Sequence, residues 1–473
     1  MRKKIAAFVL CCVLVCCLCP VQPAQAAFTP PFEVNADAVY MVNLDTGRVV
    51  YEKNAKKARA PASLTKMMTS LLLMENCADL AGTEVTAPGY IYDEMFGLKV
   101  SNADILPWET VTAETLLYAM LLPSGNEAAS ITADYLGGGN LDNFFFTMNA
   151  RARQLGCVNT NFTNAHGIWG MEENHYSCAY DMYLIAKACY DTPGFMEVAS
   201  SESYDMPFTN KHTRPEYASK PDCAYTIRST NYLQRTSSKI YRSDVHGLKT
   251  GSTPEAGYNL ASTATRNGET YMLIVMGTPY EQDEYGYGLS FSVSSALYDW
   301  AFANFSVSPA LDVDKPLQEV PVKYSDVTDT VLLYPEESFA TLLPNEADES
   351  VLQKTYLLPE SVAAPIKKGD VIGAVKLSLA GEELGTVALV SHTDIERSEL
   401  LYSWAQLKEF AGSLYFRTVL ILLAILIAAY FVMMHLLERR HKMQAEGYTE
   451  PRSAPRRGAP VERRISRQRR PRK

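Results

Sequence analysis

An uncharged apolar segment near the end of the chain is the sequence feature that most limits how this protein can fold. Residues 418–437 form a run of 20 without Asp, Glu, Lys or Arg. At about 1.5 Å per residue, a helix of that length crosses the ~30 Å hydrocarbon layer of a bilayer. Arg439, Arg440 and Lys442 follow, and such a basic flank favours the cytoplasmic side. The sequence therefore predicts a transmembrane helix over 418–437, with the tail, 438–473, in the cytoplasm.

The other end of the chain carries an export signal. Residues 1–26 combine the basic start Arg2-Lys3-Lys4 with an apolar run and the small-residue pattern Ala24-Gln25-Ala26. This arrangement is typical of a cleaved secretory signal peptide, and an uncleaved signal anchor is the alternative. Either interpretation places the region between the two apolar segments outside the cytoplasm.

Charge and cysteine usage narrow the function of that region. The formal net charge of the chain is −9 although residues 438–473 carry 13 Lys and Arg against 4 Asp and Glu, so the body is strongly acidic. An acidic body argues against nucleic-acid binding, whereas the basic tail suits the anionic lipid of the inner leaflet. The sequence has no HExxH pattern, and no two cysteines beyond the signal segment have the CxxC spacing, so it calls for no metal and no cofactor. A disulfide stays open among the five cysteines beyond the signal segment, which are Cys77, Cys157, Cys178, Cys189 and Cys223.

Strand patterns at both ends of the exported region enclose a helical middle. Residues 38–51 alternate around the turn Asp45-Thr46-Gly47, and Asn267-Gly268 separates two later apolar runs, so both are predicted β-hairpins. Helical periodicity marks the stretch between them, for example 113–122, and a closing helix is expected over 291–305. We therefore predict an α+β fold in which the first and last strands join one antiparallel sheet.

From about residue 311 the pattern changes to short alternating runs. Turns such as Lys368-Gly369-Asp370 separate them, which predicts a small all-β domain. The expected order of segments is a signal peptide (1–26), a main domain (27–305), the all-β domain (311–391), a juxtamembrane linker (392–417), the transmembrane helix (418–437) and the basic cytoplasmic tail (438–473).

Ser63-Leu64-Thr65-Lys66 is the first of three short motifs that carry chemistry. Pro61 and the apolar residues that follow place Ser63 at the start of a helix, with Lys66 one turn further on the same face. A serine hydroxyl becomes a nucleophile when a base takes its proton, and a lysine whose pKa is lowered by burial can be that base. Helix N-terminal N–H groups also favour a developing oxyanion. An N-cap serine with a chance lysine would explain this motif if it stood alone.

Two further motifs follow at wide spacing. Ser124-Gly125-Asn126 lies in a loop after a helix-breaking proline, where a serine can relay a proton and an asparagine can bind a substrate amide. Lys249-Thr250-Gly251-Ser252 is expected to enter the first strand of the late hairpin, whose edge can pair with an extended peptide. Gly251 leaves room for a close approach, and Lys249 and Thr250 can hold a carboxylate. Neither motif is specific by itself.

Taken together in this order, SxxK, SxN and KTG are the signature of the penicillin-binding and serine β-lactamase superfamily. The flanking sequence at 60–69, 122–129 and 247–253 closely resembles the D-alanyl-D-alanine carboxypeptidases, which are low-molecular-mass penicillin-binding proteins of peptidase family S11. The resemblance covers roughly residues 35–305, and the all-β domain looks like the C-terminal domain of that family. It implies a β-lactamase/transpeptidase-like antiparallel sheet with helices.

The activity that the resemblance implies is removal of the terminal D-alanine from peptidoglycan stem pentapeptides through an acyl-enzyme that β-lactams trap. Ser63 is then the acyl-ester nucleophile, Lys66 the proton acceptor and Ser124 the proton relay. Backbone N–H groups of Ser63 and Ser252 would form the oxyanion hole. Stem peptides, β-lactams and the cytoplasmic membrane are the expected partners of a single-pass membrane enzyme with its catalytic domain outside. The residues implied in substrate binding are Asn126, Lys249, Thr250, Gly251 and Ser252.

Several points stay open at this stage. Relatives often have a histidine directly after KTG where this chain has Ser252, which leaves the deacylation step open, and His166 is either catalytic or structural. A class A β-lactamase shares the motifs, but it typically has Ser-Asp-Asn in the second motif and has no appended β domain or C-terminal span. A membrane-bound sensor of β-lactams or muropeptides is a second alternative, and an inactive wall-binding scaffold is a third.

Overall fold

The computed structural model describes residues 28–168, 170–217, 219–345, 351–379 and 381–446. The predicted signal peptide, residues 1–26, and the part of the predicted tail beyond residue 446 lie outside the described residues. The chain divides into two units. One unit comprises the residues up to 317 with 333–358 and 371–390, and the other comprises 318–332, 359–370 and the residues from 391 onward.

The strands and helices are numbered in chain order. The strands are β1 (Ala38–Asn43), β2 (Val49–Lys53), β3 (Glu84–Thr86), β4 (Thr110–Thr112), β5 (Ser203–Met206), β6 (Tyr225–Arg228), β7 (Val245–Thr253), β8 (Gly257–Arg266), β9 (Glu269–Thr278), β10 (Phe305–Leu311), β11 (Gln318–Lys323), β12 (Thr330–Pro335), β13 (Phe339–Pro344), β14 (Leu352–Leu357), β15 (Val362–Ala363), β16 (Val371–Leu379) and β17 (Glu382–Ser391). The α-helices are α1 (Thr65–Asn76), α2 (Ala113–Leu121), α3 (Asn126–Gly137), α4 (Leu141–Gln154), α5 (Ala179–Asp191), α6 (Phe195–Ala199), α7 (Leu289–Asn304), α8 (Glu399–Gly412) and α9 (Leu414–Glu446).

A five-stranded antiparallel sheet with the order β2-β1-β9-β8-β7 organises the first unit. The predicted hairpin is present as β1 and β2, and Gly47 in its turn has φ +68°, a left-handed conformation that glycine adopts without strain. Strand β1, which comes first along the chain, pairs with β9, which comes last along the chain among these five strands, and Val42 lies opposite Met272. The predicted α+β fold, with helices enclosed between the sheet's first and last strands, is confirmed.

Side chains alternate between the two faces of this sheet, and both faces are covered. In β1, Tyr40 and Val42 point into the core formed with α1 to α6, whereas Val39 and Met41 point into a second core. Leu297 of α7 lies in that second core. Because strand side chains alternate with a period of two, a strand buried on both faces has apolar residues at successive positions, as β1 does. The sheet is therefore a central layer that is covered on both faces, and its edge strand β7 carries the third motif.

The third motif lies in a strand that the sequence did not define correctly. It was expected to enter the strand that begins the late hairpin, but it lies inside a separate strand, β7, which is last in the sheet order and pairs with β8. The register between β7 and β8 shifts between His246 and Lys249, at Gly247. This irregularity breaks the alternating pattern by which a strand is recognised.

The remaining strands follow α7. Within the first unit, β10 pairs with β13, and β16 pairs with both β14 and β17. Within the second unit, β11 pairs in parallel with β15, and the chain continues into α8 and α9. Across the described residues, α9 is the one helix long and apolar enough to cross a membrane, over Leu414–Lys442. The five described cysteines are buried free thiols.

Candidate active site

Ser63 lies in a tight turn that leads directly into α1. A short 3-10 helix, Ala62–Leu64, precedes the first residue of the helix, as Pro61 predicts. The hydroxyl of Thr65 donates to the Ala62 carbonyl at 2.8 Å and fixes the turn. Gly167, at φ +82°, packs closely against the same carbonyl: an added Cβ at this position would lie 1.9 Å from the Ala62 oxygen. The backbone around Ser63 is therefore held from two sides while its side chain remains partly accessible.

Lys66 is fully buried below Ser63, one helical turn along α1. Its Nζ lies 3.0 Å from Ser63 Oγ, 2.7 Å from Asn126 Oδ1 and 2.8 Å from the His166 carbonyl oxygen. Burial lowers the pKa of Lys66 well below its usual value, and the positive charge of Lys249 lowers it further. As a neutral amine, Lys66 donates its two N–H groups to Asn126 and His166, and its lone pair faces the Ser63 hydroxyl. This is the geometry of a general base.

The second motif lies at the start of α3. Asn126 is the first residue of that helix, and its Nδ2 donates to the Ser101 carbonyl at 2.7 Å, which orients Oδ1 toward Lys66. Ser124 has φ +65°, an unusual backbone conformation for serine, and its buried hydroxyl meets no hydrogen-bond partner in the described part of the chain. A strained backbone and a buried hydroxyl without a hydrogen bond are features typical of ligand-binding sites.

Glu127 lies next to Asn126 and is also buried. One carboxylate oxygen accepts hydrogen bonds from the backbone N–H groups of Ala103 and Ile105. Burial raises the pKa of Glu127 to about 7, and the nearby charge of Lys66 opposes that shift. Glu127 therefore attaches segment 103–105 to α3 and places a titratable carboxyl near Lys66.

The third motif lines the edge strand β7. Lys249 is buried, its Nζ donates to the Thr250 carbonyl at 3.0 Å, and burial lowers its pKa to about 7. Gly251 faces the turn that carries Ser63, because an added Cβ would lie 3.1 Å from the Pro61 oxygen and 3.2 Å from the Ser63 nitrogen. Ser252 follows with its side chain exposed.

The structure thus brings the predicted residues to one place by different means. Ser63, Lys66 and Asn126 are joined by hydrogen bonds, and Lys249 acts on Lys66 through its charge. Gly251 packs on the backbone of Ser63, and Thr250 stays next to Lys249. Within the described residues, the buried hydroxyl of Ser124 forms no hydrogen bond with the other members, and Ser252 is exposed. Two local expectations are wrong, since Asn126 begins α3 instead of lying in a loop and the third motif lies within β7 instead of entering the late hairpin.

Sequence reasoning missed several residues that contact this site. Ser101 orients Asn126, Glu127 attaches the neighbouring segment, and Thr230 contacts Thr250. The sequence does give a signal for Glu127, because this acidic residue adjoins a motif and begins an otherwise apolar run. Ser101 and Thr230 carry none, because a lone Ser or Thr in a loop is ordinary.

His166 contributes to the site through its backbone rather than its ring. Its carbonyl accepts from Lys66, while ring Nδ1 accepts from the Ile168 N–H at 3.0 Å. Ring Nε2 lies 3.3 Å from a Glu94 carboxylate oxygen, close but poorly aligned for a hydrogen bond. Burial lowers the pKa of His166. These contacts favour the structural interpretation of this histidine.

An antiparallel sheet with helices, and a serine–lysine pair facing its edge strand, define the class of serine acyl-transfer enzymes with a β-lactamase/transpeptidase-like fold. Comparison with known proteins identifies the family. Residues 24–280 match the D-alanyl-D-alanine carboxypeptidase family, peptidase S11, and residues 305–397 match the C-terminal domain of penicillin-binding protein 5. The chain belongs to the D-alanyl-D-alanine carboxypeptidase family and is a serine peptidase.

Individual relatives extend along most of the chain. It is 28% identical to D-alanyl-D-alanine carboxypeptidase DacF of Bacillus subtilis over 77% of this chain and 86% of the relative. It is 29% identical to DacA of Haemophilus influenzae over 81% of this chain and 91% of the relative. The crystal structure of penicillin-binding protein 5 from Haemophilus influenzae aligns with a TM-score of 0.58 and 28% identity, over 78% of this chain and all of that one.

Proposed function

We propose that this protein is a membrane-bound serine D-Ala-D-Ala carboxypeptidase that trims the terminal D-alanine from peptidoglycan stem pentapeptides. The observation that carries this proposal is the buried amine of Lys66, which lies 3.0 Å from the Ser63 hydroxyl and has a lowered pKa. Family membership supplies the substrate class. The assignments of individual residues below are part of the proposal.

Acylation begins with a proton transfer from Ser63 Oγ to Lys66 Nζ. The oxygen then forms a bond with the carbonyl carbon of the penultimate D-alanine, and the carbonyl oxygen becomes an oxyanion. Backbone N–H groups of Ser63 and Ser252 stabilise that charge, because β7 passes directly over the turn that carries Ser63. Each such donor is worth about 2.7–4 kcal/mol of transition-state stabilisation.

Collapse of this intermediate breaks the peptide bond and leaves an ester on Ser63. The departing amine needs a proton, which Lys66 now holds and Ser124 relays through its unused hydroxyl. Free D-alanine leaves. Water then attacks the ester, gives one proton back through the same groups and restores the Ser63 hydroxyl as the acid product departs. A β-lactam forms the same ester and stays attached.

The substrate is held along the edge of the sheet. We propose that its backbone pairs with β7, with Asn126 binding a substrate amide and Gly251 leaving room for the chain. Lys249 and the Thr250 hydroxyl receive the terminal carboxylate. Burial of Lys249 makes this ion pair strong, because little water competes with it.

We propose that the enzyme is exported and anchored in the cytoplasmic membrane by its C-terminal region. The apolar helix α9 fits a membrane anchor. We propose that 1–26 is a cleaved signal peptide, 27–305 the catalytic domain, 311–391 the all-β domain and 392–417 the linker. The span is then 418–437, and the tail, 438–473, contacts anionic lipid on the cytoplasmic side.

The direct test is release of D-alanine from a peptide ending in D-Ala-D-Ala by the detergent-solubilised full chain. Wild type should release D-alanine and be labelled covalently by a fluorescent penicillin, and Ser63→Ala should do neither. Labelling of Ser63→Ala would contradict the assignment of the nucleophile. Nitrocefin separates the β-lactamase alternative, because a carboxypeptidase acylates and then stalls whereas a β-lactamase turns over repeatedly.

A further inference from the structure

A buried turn that belongs to none of the three motifs lies against the third one. Ser229, Asn231 and Gln234 in this turn are buried and hydrogen-bonded to one another or to neighbouring backbone. Asn231 Nδ2 also donates to the Gly247 carbonyl of β7 at 3.0 Å, and Gln234 Nε2 donates to the Ala199 carbonyl at 3.0 Å. The turn is therefore fixed relative to β7.

Thr230, in the middle of this turn, joins the second motif to the third. Its backbone N–H lies 3.0 Å and its hydroxyl 3.1 Å from the carbonyl oxygen of Leu122, two residues before Ser124. The same hydroxyl lies 2.6 Å from the hydroxyl of Thr250. Lys249 Nζ lies 3.4 Å from the hydroxyl oxygen of Thr250.

The protons of this chain can be assigned because every group has a known donor capacity. Lys249 donates to Thr250, Thr250 donates to Thr230, and Thr230 donates to Leu122. In this arrangement the Thr250 proton points away from an incoming anion. To donate to a carboxylate, Thr250 must turn its proton outward, which leaves the Thr230 and Thr250 oxygens 2.6 Å apart without a proton between them. Thr230 supplies one by turning its own proton to Thr250, and the Leu122 carbonyl keeps the Thr230 N–H.

We propose that Thr230 is a positioning residue whose hydroxyl reverses its hydrogen bond so that Thr250 can donate to the terminal carboxylate of the substrate. The inference rests on the proposed function, since it assumes that a carboxylate binds at Lys249 and Thr250. No heavy atom has to move. Both proton arrangements leave each of these groups satisfied, which is why the hydroxyl of Thr230, rather than an apolar side chain, suits this position.

The test compares two ligands that differ in the carboxylate alone. The rate constant for acylation of the full chain is measured with benzylpenicillin and with its methyl ester, and the ratio of the two reports carboxylate recognition. Thr230→Val keeps the shape and removes the hydroxyl, so the ratio should fall about fivefold, as for loss of one neutral hydrogen bond. Thr230→Ser keeps the hydroxyl and should restore the ratio.

Thr265→Val is the matched control. Thr265 forms a similar hydroxyl pair with Thr270, 3.0 Å apart at the β8–β9 hairpin, and its loss should leave the ratio as in wild type. If Thr230→Val fails to fold, Thr230→Ala carries the same expectation. An unchanged ratio in Thr230→Val, or a Thr230→Ser variant that behaves like Thr230→Val, overturns the proposal. Failure of the proposed function would appear separately, as absent D-alanine release by wild type.

Discussion

In the proposed mechanism the two buried lysines must be in different protonation states, with Lys66 neutral and Lys249 positively charged. Lys66 accepts a proton only as a neutral amine, and its pKa lies well below the usual value because of burial and the charge of Lys249. Lys249 holds a carboxylate only as a cation, and burial lowers its pKa to about 7. With falling pH, Lys66 becomes protonated and acylation stops. With rising pH, Lys249 loses its charge and carboxylate recognition stops.

We therefore expect a bell-shaped dependence of kcat/KM on pH for a peptide with a free carboxylate, with an alkaline limb near the Lys249 pKa of about 7. The methyl ester of penicillin should lack that alkaline limb. In Lys249→Met, loss of the positive charge raises the Lys66 pKa, so the acid limb for the ester should move to higher pH. Lys187→Met, which removes an exposed lysine paired with Asp191, is the control. An acid limb that stays in place in Lys249→Met would show that the two lysines are not coupled.

Gly251 lies so close to the turn that carries Ser63 that a larger side chain would crowd the backbone there. A methyl group there would lie 3.1–3.2 Å from backbone atoms of Pro61, Ser63 and Leu64, and backbone cannot yield as a side chain can. Gly251→Ala should push β7 away from the turn that carries Ser63 and lower the acylation rate at least tenfold, with little change in melting temperature. Gly137→Ala on α3, where the nearest atom would be an ordinary 3.4 Å away, is the control. Normal acylation by Gly251→Ala would disprove the close approach.

At the residue scale, the sequence predicted candidates for the reactive groups but not the residues that hold them in place. Ser63, Lys66 and Lys249 were identifiable because motif spacing and chemistry restrict where such residues can work. Ser101 acts through a backbone carbonyl, which every residue has, and Thr230 acts through its position in the fold. Neither property can be read from a single sequence.

At the scale of elements, helix α3 fixes the position of segment 103–105 next to the site. Glu127 in its first turn is buried and accepts from the N–H groups of Ala103 and Ile105. In Glu127→Ala, both donors lose their partner in a buried place, so we expect a loss of about 2–5 kcal/mol in stability. Thermal unfolding of the solubilised chain measures this, with Glu197→Ala, at an exposed position of α6, as the control. A melting temperature equal to that of wild type would show that segment 103–105 does not depend on this contact.

Element boundaries were predictable where local signals are strong. The Asn267-Gly268 turn and the flanking apolar runs identified β8 and β9, and the closing helix was expected at 291–305 against the observed Leu289–Asn304. Strand β7 was not recognised because its register shift at Gly247 disturbs the alternation and because Lys249 is charged in water yet buried here. A catalytic strand is selected for chemistry, and this weakens its strand pattern.

At the scale of the whole molecule, the topology explains how distant motifs become neighbours. The pairing of β1 with β9 closes the sheet around the helical middle, so that the start of α1, the start of α3 and the edge strand β7 meet. The sequence predicted this closure from strand patterns at both ends of the region. It could not predict distances, because the contacts of Lys66 with Asn126 and His166 span 60 and 100 residues of chain.

Helix α8 and the apolar helix α9 lead from the folded region toward the proposed membrane. Residues 418–437 have no charge to neutralise, whereas a helix lying on the surface would need a polar face. The flank of Arg439, Arg440 and Lys442 should fix the orientation, and basic residues near anionic lipid contribute about 1 kcal/mol each. A chain ending at Gly412 should therefore be soluble and active on small peptides, while the full chain should resist extraction by salt or carbonate.

Protease accessibility tests the orientation of that span. Protease added outside intact protoplasts should digest the exported domain and spare an epitope attached after Lys473, because a basic flank favours the cytoplasmic side. As a matched control, replacing Arg439, Arg440 and Lys442 with glutamine should leave carbonate resistance intact, since the apolar length is unchanged, but weaken the orientation preference. Digestion of the wild-type tail from outside would show that the tail is not cytoplasmic. Release of the full chain by salt alone would show that α9 lies on the membrane instead of crossing it.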